Sequence, residues 1–235
     1  MIKVAILAGG LGKRLGSLTL DIPKSMIKIN NKPFIEWQLN LLSKKGVREV
    51  VLCTSHYSQI IKDYVEDGKR FNIEVKYSDD GPDQLGTGGA IKNAIDILGD
   101  SFMVMYGDSY LDIDYSEVEK VFGEINFPAM MTIYKNKGKY DLSNVLFENS
   151  IIKKYSKKNV NSNLQYIDFG LSLFKSEVFK EIKKGTYLDL ADLCEELAEN
   201  GKLAGFEVKN RFYEVGSKEG IEDFSRYLGE QENDF

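Results

Sequence analysis

The feature that most constrains this chain is a short apolar strand that runs directly into a glycine-rich turn. Residues 2–8 have the pattern of a buried strand, and residues 8–15 follow with three glycines. Lys13 and Arg14 lie in this turn, and Lys24 follows a proline soon after it. Exposed backbone N–H groups surrounded by cations favour the binding of phosphate groups. We therefore expect a phosphate site at the end of the first strand.

Neither of the two standard phosphate-loop patterns fits this turn. A P-loop needs a glycine at the position of Leu7 and a Ser or Thr after Lys13, where Arg14 stands. A dinucleotide fingerprint needs a small residue at the position of Leu15 and an acid after the second strand, which ends in Cys-Thr-Ser at residues 53–55. The sequence thus argues against both classes.

Bulk properties narrow the remaining function classes. The net charge of −5 and the mixing of lysines with acids argue against a nucleic-acid partner. The apolar runs are strand-sized, far short of the ~20 residues of a membrane span, and no secretory leader pattern is visible. Cys53 and Cys194 each lie in an apolar stretch, which favours buried free thiols. We expect a cytoplasmic protein without a membrane partner.

Strand and helix patterns alternate over the first half of the chain. The predicted order comprises strands at residues 2–8, 49–54, 73–77 and 102–106, with helices at residues 33–46, 59–65 and 88–98. Repeated strand-helix-strand units favour a doubly wound, mostly parallel sheet with helices on both faces. This half is predicted to be α/β and Rossmann-like.

The pattern changes after about residue 125. Strands are predicted at residues 129–134, 144–147, 151–155 and 167–174, with a hairpin turn at Asn149-Ser150 and helices at residues 188–199 and 218–228. We expect an antiparallel subregion that makes the sheet mixed. The sequence predicts one domain over residues 1–228, with halves at 1–125 and 126–228, and a loose tail at 229–235.

Four ordered motifs give the chain a family resemblance. The first turn and Pro23-Lys24 are followed by Leu-Gly-Thr-Gly-Gly-Ala at residues 85–90, Tyr-Gly-Asp-Ser at 106–109 and Phe-Tyr-Glu-Val-Gly-Ser at 212–217. Over nearly its whole length the chain resembles the sugar-phosphate nucleotidyltransferases. The form of the second motif is most similar to that of heptose and mannose 1-phosphate guanylyltransferases. The resemblance implies the nucleotide-diphospho-sugar transferase fold.

The predicted nucleotide site combines three of these motifs. Ligands of a doubly wound sheet bind beyond the carboxyl ends of the strands, where the first turn, the second motif and Asp108 converge. By resemblance, Lys24 lies beside the α-phosphate, and Lys13 and Arg14 face the outer phosphates. Arg14, Lys24 and Asp108 are the predicted catalytic residues. The full predicted nucleotide-binding set is Leu7, Ala8, Gly9, Gly10, Gly12, Lys13, Arg14, Lys24, Gly86, Thr87, Gly88 and Asp108.

Two acids are predicted to hold a metal ion. Asp108 follows an apolar strand and a glycine, so its carboxylate is expected to project to where phosphates collect. An acid beside phosphates repels them unless it holds a cation such as Mg²⁺, which prefers oxygen ligands. By resemblance Glu214 is the second ligand, although many relatives have an Asp there. The longer Glu leaves open whether it binds metal directly or through water.

The predicted acceptor site lies in the second half. By resemblance it comprises Asn144, Lys157, Asp168 and Gly170, with Lys157 meeting the acceptor phosphate. Ser156 replaces the acid that usually precedes this lysine in the family. Lys158 could compete for the same role.

The resemblance implies that an NTP and a sugar 1-phosphate react to give an NDP-sugar and pyrophosphate. In that reaction the acceptor phosphate attacks the α-phosphorus in line, so the protein positions two anions and stabilises charge. Two alternatives stay open: a cytidylyltransferase for a non-sugar phosphate such as phosphocholine, and a non-catalytic nucleotide-sugar sensor. The sequence leaves the base, the acceptor and homo-oligomer formation open.

Overall fold

The protein is built on a nine-stranded mixed β-sheet. The structure is a computed structural model, which describes residues 1–10, 12, 15–16, 21–81, 84–140, 142–156 and 164–233. The predictions at Lys13, Arg14 and Lys157 therefore lie outside the described residues.

The first half alternates strands with helices, as predicted. Its elements are β1 (Lys3–Leu7), β2 (Lys28–Ile29), β3 (Lys32–Pro33), α1 (Phe34–Lys44), β4 (Glu49–Thr54), α2 (Ser58–Val65), β5 (Glu74–Asp79), α3 (Gly86–Leu98), β6 (Ser101–Tyr106), β7 (Ser109–Tyr110) and α4 (Tyr115–Glu124). One helix, α4, and three two-residue strands, β2, β3 and β7, were not predicted. Asp114 caps α4, because its side chain accepts hydrogen bonds from the N–H groups of Ser116 and Glu117.

The second half contributes further strands and two helices. They are β8 (Ala129–Lys135), β9 (Val145–Glu148), β10 (Ile151–Tyr155), β11 (Tyr166–Lys175), α5 (Leu190–Glu199), β12 (Leu203–Val208), β13 (Tyr213–Glu214) and α6 (Lys218–Asn233). The predicted turn between β9 and β10 is confirmed. Asn149 and Ser150 have φ values of 50° and 63°, which suit a two-residue hairpin connection.

The order of the main sheet is β5-β4-β1-β6-β11-β8-β12-β10-β9. β5, β4, β1 and β6 are parallel, and β11 runs antiparallel to both β6 and β8. The expected mixed, Rossmann-like sheet is confirmed. Two strands of the second half, β12 and β13, were missed. β12 pairs in parallel with β8, so this half is not purely antiparallel. Its Gly205 weakens the strand pattern in the sequence.

Helices cover both faces of the sheet. Val4 and Ile6 of β1 pack in one cluster with α1, α2 and α4, whereas Ala5 packs in the other with α3 and α5. This alternation follows the two-residue period of a strand that is buried on both faces. A third cluster joins Phe34 of α1 to Phe224 of α6.

The predicted C-terminal tail needs a correction. α6 continues past Leu228 to Asn233, so the prediction of a loose tail is wrong for residues 229–233. Leu228 is buried against the third cluster and anchors the helix there, and the Glu and Gln residues that follow have good helix propensity. Residues 234 and 235 lie outside the described part.

Two further predictions, one on the cysteines and one on membrane-spanning segments, can be compared with the structure. Cys53 and Cys194 are buried and are not joined in a disulfide, as expected. Among the described residues, no helix has the length and apolar character that crossing a bilayer requires.

The packing of β12 generates a stability prediction. A Cβ on Gly205 would lie 2.6 Å from two ring carbons of Phe147 and 2.8 Å from Cδ1 of Ile152. Gly205→Ala is therefore expected to lower the free energy of unfolding by about 1–3 kcal/mol, measured by urea titration. The matched control is Gly123→Ala in α4, where a Cβ meets no atom within 4 Å. It is expected to be neutral or to stabilise by about 0.5 kcal/mol, and an equal loss in both variants would contradict this account.

Candidate active site

A cleft of about 410 Å³ lies beyond the carboxyl ends of β1, β4, β5 and β6. Its volume is within the range of small-molecule sites. Most of the predicted nucleotide-binding residues that the structure describes line it: Leu7, Ala8, Gly9, Gly10, Gly12, Lys24, Gly86, Thr87 and Asp108.

The floor of the cleft is held by backbone hydrogen bonds between strand ends. The N–H of Ala8 donates to the carbonyl of Cys53 at 2.9 Å, and that of Gly107 donates to the carbonyl of Leu7 at 3.1 Å. A Cβ on Gly107 would lie 2.5 Å from the Leu7 carbonyl oxygen. Only glycine therefore lets the turn that carries Asp108 pass so close to β1.

Lys24 and Asp108 form an ion pair at the β6 end of the cleft. The Lys24 side chain is 11% exposed and that of Asp108 is 23% exposed, so both charges are largely withdrawn from water. Lys24, the predicted phosphate-binding cation, thus contacts Asp108, the predicted metal-binding acid. Breaking it by removal of either partner would leave a charge poorly compensated.

Glu214 lies at the same end of the cleft as Asp108. β13 pairs with β7 so that Glu214 is opposite Ser109, and the N–H of Val215 donates to the carbonyl of Asp108 at 2.9 Å. A Cβ on Gly216 would lie 2.6 Å from Oε1 of Glu214 and 3.1 Å from Nζ of Lys24. The two acids are thus brought together around Lys24. Their role as metal ligands stays a prediction.

The carboxylate pair fits the type of site that Mg²⁺ takes. In the described part of the chain, no group of three or more His, Cys, Asp or Glu side chains is arranged to hold a metal ion. Mg²⁺ commonly uses one or two carboxylates together with substrate phosphates. Asp108, which lines the cleft, and Glu214 beside it supply such a donor set.

Gln38 of α1 positions this end of the cleft and was missed in the sequence. Its side chain is fully buried, and Nε2 donates to the carbonyls of Tyr106 and Ser109 at 3.0 and 2.8 Å. These two carbonyls flank the turn that contains Asp108. A signal was present, because Gln38 interrupts the apolar face formed by Ile35 and Leu39.

The glycine-rich segment at residues 85–90 packs closely against the segment that precedes α5. The N–H groups of Gly88 and Gly89 donate to the carbonyl of Leu188 at 2.8 and 3.1 Å, and a Cβ on Gly88 would lie 2.8 Å from Cγ of Leu188. The close approach that Gly88 and Gly89 permit is therefore to the segment before α5. Gly88 does not line the cleft.

Thr87 joins the same segment to the start of α5. Its hydroxyl donates to Oδ1 of Asp189 at 3.0 Å and accepts from the N–H of Leu190 at 2.8 Å. Asp189 also accepts from the N–H of Ala191, which makes it the N-cap of α5. The Thr87 hydroxyl is thus engaged within the protein, although the residue lines the cleft.

The predicted acceptor residues that the structure describes form one hydrogen-bonded group. The N–H of Asp168 donates to Oδ1 of Asn144 at 3.0 Å. The Asp168 carboxylate accepts from the hydroxyl of Tyr155 at 3.1 Å and from the N–H of Gly170 at 2.9 Å. Asn144, Asp168 and Gly170 are therefore adjacent, as predicted, and their contact with an acceptor stays a prediction.

A bulge in β11 brings this group next to the cleft. The register against β8 shifts between Asp168 and Ser172, and Gly170 has a φ of 100°. A Cβ on Gly170 would lie 3.3 Å from Oγ of Ser109, beside the turn that carries Asp108.

Burial raises the pKa of the Tyr106 phenol, and the charge of Asp168 raises it further, so the hydroxyl stays protonated.

Asp80 is a cleft residue that sequence analysis did not single out. It follows β5, and its Oδ1 is buried and accepts no hydrogen bond from a described residue. Burial raises the pKa of this carboxyl to about 6; a hydrogen bond from the Asn93 side chain opposes the rise, and the charge of Asp79 adds to it. Asp80 is thus a partly buried ionisable group at the β5 end of the cleft.

Comparison with known proteins agrees with this geometry. A family model for nucleotidyl transferases matches residues 3–231. The chain belongs to this family. This nucleotidyltransferase has the enzyme class that its motifs predicted.

Relatives with different named activities are similar to this nucleotidyltransferase. A D-glycero-alpha-D-manno-heptose 1-phosphate guanylyltransferase of Campylobacter jejuni is 33% identical over 203 residues, which cover 86% of this chain and 82% of the relative. A UTP–glucose-1-phosphate uridylyltransferase of Synechocystis is 31% identical over 219 residues, covering 85% of this chain. The match spans only 56% of that longer relative.

A solved structure has the same fold over nearly the whole chain. HddC from Yersinia pseudotuberculosis, in a complex with GMP-PN, has a TM-score of 0.81 and 25% sequence identity. The match covers 97% of this nucleotidyltransferase and 100% of HddC.

The pKa of Asp80 generates a pH-dependent stability prediction for the nucleotidyltransferase. Because the folded-state pKa is above the unfolded value, the folded chain binds the proton more tightly, and the Asp80 contribution to stability falls as pH rises from about 4 to about 6. Asp80→Asn is therefore expected to raise the free energy of unfolding at pH 7.5 by about 1 kcal/mol, after discounting for the half-exposed carboxyl. The gain should shrink toward zero near pH 4 in urea titrations.

The neighbouring acid provides the control for this prediction. Burial acts to raise the pKa of Asp79, but hydrogen bonds from Lys62, Ser58 and the Gly81 N–H outweigh it and lower that pKa. Ionised Asp79 is thus favoured by folding, so Asp79→Asn should not stabilise the protein at pH 7.5. The account is wrong if both variants gain stability.

Proposed function

We propose that this enzyme transfers a nucleoside monophosphate from an NTP to a sugar 1-phosphate in a Mg²⁺-dependent reaction that releases pyrophosphate. The observation that carries the proposal is the convergence of Lys24, Asp108 and Glu214 at one end of a cleft that begins with a glycine-rich turn. The names of the relatives, which are sugar-phosphate guanylyl- and uridylyltransferases, support this reaction. We further propose that the product serves activated-sugar and polysaccharide biosynthesis.

The shape of the cleft suggests how the NTP lies. Its β1 turn presents backbone N–H groups and Lys24, which suit the triphosphate. The part formed by the end of β5 and the start of α3 contains Asp80, Leu85 and Gly86, which suit the base. The α-phosphorus then lies toward Lys24 and Asp108, the residues nearest the acceptor strand β11.

The proposed reaction exchanges one phosphorus–oxygen bond for another. An oxygen of the acceptor phosphate bonds to the α-phosphorus, while the bond from that phosphorus to the bridging oxygen breaks and pyrophosphate leaves with the electron pair. The acceptor is already an anion, so no protein nucleophile is required. Lys24 supplies positive charge where two anions meet, and the cleft holds them in line.

Asp108 and Glu214 are the residues that would hold Mg²⁺. When bound, the ion supplies charge neutralisation at the phosphate oxygens. Lys24 pairs with Asp108, so its positive charge lies where the proposal places the phosphate oxygens.

The acceptor is proposed to bind between the β11 bulge and the turn after β6. Asn144 and Asp168 supply polar groups suited to sugar hydroxyls, and Gly170 leaves room beside Ser109. Lys157 is proposed to meet the acceptor phosphate. A cytoplasmic location and homo-oligomer formation stay predictions.

Asp108→Asn provides a direct test of this mechanism. The substitution removes a carboxylate charge from the reaction end of the cleft, so turnover is expected to fall by at least about 100-fold. The assay is pyrophosphate release from each NTP mixed with Mg²⁺ and a panel of sugar 1-phosphates, with phosphocholine as a non-sugar acceptor. The Mg²⁺ concentration needed for half-maximal rate is expected to rise in the variant.

Asp96→Asn is the matched control, since this exposed acid on α3 pairs with Lys184 far from the reaction end. Its turnover is expected to equal that of the unmodified enzyme. Unchanged turnover in Asp108→Asn would remove Asp108 from the mechanism. If phosphocholine is the one acceptor of the panel that gives pyrophosphate release, the acceptor in the proposal becomes phosphocholine instead of a sugar 1-phosphate.

A further inference from the structure

The first turn of α6 lies directly against the backbone of Glu214. A Cβ on Gly220 would lie 2.2 Å from the carbonyl oxygen of Glu214. The N–H of Gly220 donates to Oγ of Ser217 at 3.0 Å, so Ser217 caps the helix beside this contact. Gly220 thus brings the helix against the acid that is predicted to bind metal.

The helix itself does not require glycine at this position. Gly220 lies within α6, where alanine stabilises a helix more than glycine does. Its φ is outside the left-handed region, so the backbone would accept a side chain. The contact with Glu214 is the feature that leaves no space for one.

α6 is held more firmly than the strand that carries Glu214. Phe224 is fully buried, and its ring centroid is 5.4 Å from that of Phe34 in α1. Oγ of Ser225 donates to Oδ1 of Asn30 at 2.7 Å. β13, by contrast, pairs with β7 over two residues. A methyl group added at the contact is therefore expected to displace Glu214 and not the helix.

Such a displacement is large on the scale of a metal site. The Cβ–O distance would have to grow from 2.2 to at least 3.0 Å, a shift of about 0.8 Å. Functional groups must be held within about 0.5 Å of their productive geometry, and Mg²⁺ demands near-ideal octahedral coordination. The contact of Gly220 with the Glu214 backbone therefore decides whether the Glu214 carboxylate reaches the ion.

We propose that Gly220 is a positioning residue for the metal site, and that the docking of α6 against Glu214 sets the affinity of the enzyme for Mg²⁺. The inference rests on the proposed function for the role of Glu214 as a metal ligand. Gly220 contacts neither substrate nor reacting atoms in this proposal. It acts through the place that it gives to the backbone of Glu214.

Gly220→Ala is expected to raise the Mg²⁺ concentration needed for half-maximal pyrophosphate release by about tenfold, as the loss of support behind a metal ligand does. Equilibrium binding gives a second readout without turnover. Each NTP is titrated into the full-length protein, once with Mg²⁺ and once with EDTA. The gain in NTP affinity that Mg²⁺ provides should fall by about tenfold, while the affinity in EDTA should stay unchanged because Lys24 and the glycine-rich turn are intact.

Two glycines provide matched controls. Gly229→Ala makes the same change in the same helix, where a Cβ would meet no atom of the described residues within 4 Å outside the helix backbone. Gly205→Ala is expected to lose stability, but it lies in β12, which contributes no residue to the described cleft lining. Both variants should keep the Mg²⁺ requirement of the unmodified enzyme.

Phe224→Leu tests the docking of α6 with Gly220 in place, and it decides the matter if Gly220→Ala does not fold. It loosens the buried anchor of the helix, so the Mg²⁺ requirement is expected to rise more than in Gly205→Ala at an equal loss of stability by urea titration. An unchanged requirement in a folded Gly220→Ala variant would overturn the proposal. Equal rises in Phe224→Leu and Gly205→Ala would overturn it as well, since lost stability would then be the cause.

Glu214→Gln distinguishes failure of this inference from failure of the proposed function. If Glu214→Gln raises the Mg²⁺ requirement and Gly220→Ala does not, Glu214 is a ligand and the inference alone is wrong. If Glu214→Gln leaves the requirement unchanged, the metal role of Glu214 is wrong, and the inference is wrong with it. If no NTP gives pyrophosphate with any acceptor, the reaction is wrong, and NTP binding with Mg²⁺ and with EDTA still decides the role of Gly220.

Discussion

The candidate active site depends on a small piece of backbone pairing between two distant parts of the chain. The pairing of β7 with β13, together with the hydrogen bond from Val215 to the carbonyl of Asp108, brings Glu214 beside the end of β6. Closing such a long loop costs entropy that the local contacts alone do not offset. The third apolar cluster, with Phe224 and Val215 at its centre, supplies the burial that holds this end of the chain in place.

Much of the nucleotide half could be predicted because its signals are local. A buried strand followed by glycines, and helices with an apolar stripe, specify a parallel sheet, and the topology then brings the strand ends together. This is why the cleft contains Lys24, Gly10 and Asp108, which are far apart in sequence. Lys13 and Arg14 are outside the described residues, so their roles stay predictions.

The rest depends on contacts that no local pattern encodes. Gln38 and Asp80 are ordinary polar residues in the sequence, and only the fold shows that one clamps the Asp108 turn and the other lines the cleft. Gly88 belongs to the predicted nucleotide-binding set, yet only the fold shows that its missing side chain makes room for Leu188. β12 was missed since its pairing with β8 is non-local.

The continuous sheet limits how the enzyme can move. β6 and β11 are joined along five residue pairs, from Leu171 opposite Met105 to Lys175 opposite Ser101, so the nucleotide-side and acceptor-side strands share one rigid ladder. A hinge between the two sides would have to break that ladder. The ends of β6 and β11 are therefore held at a fixed separation, and the turn after β6 and the bulge in β11 keep a constant spacing above this inflexible floor.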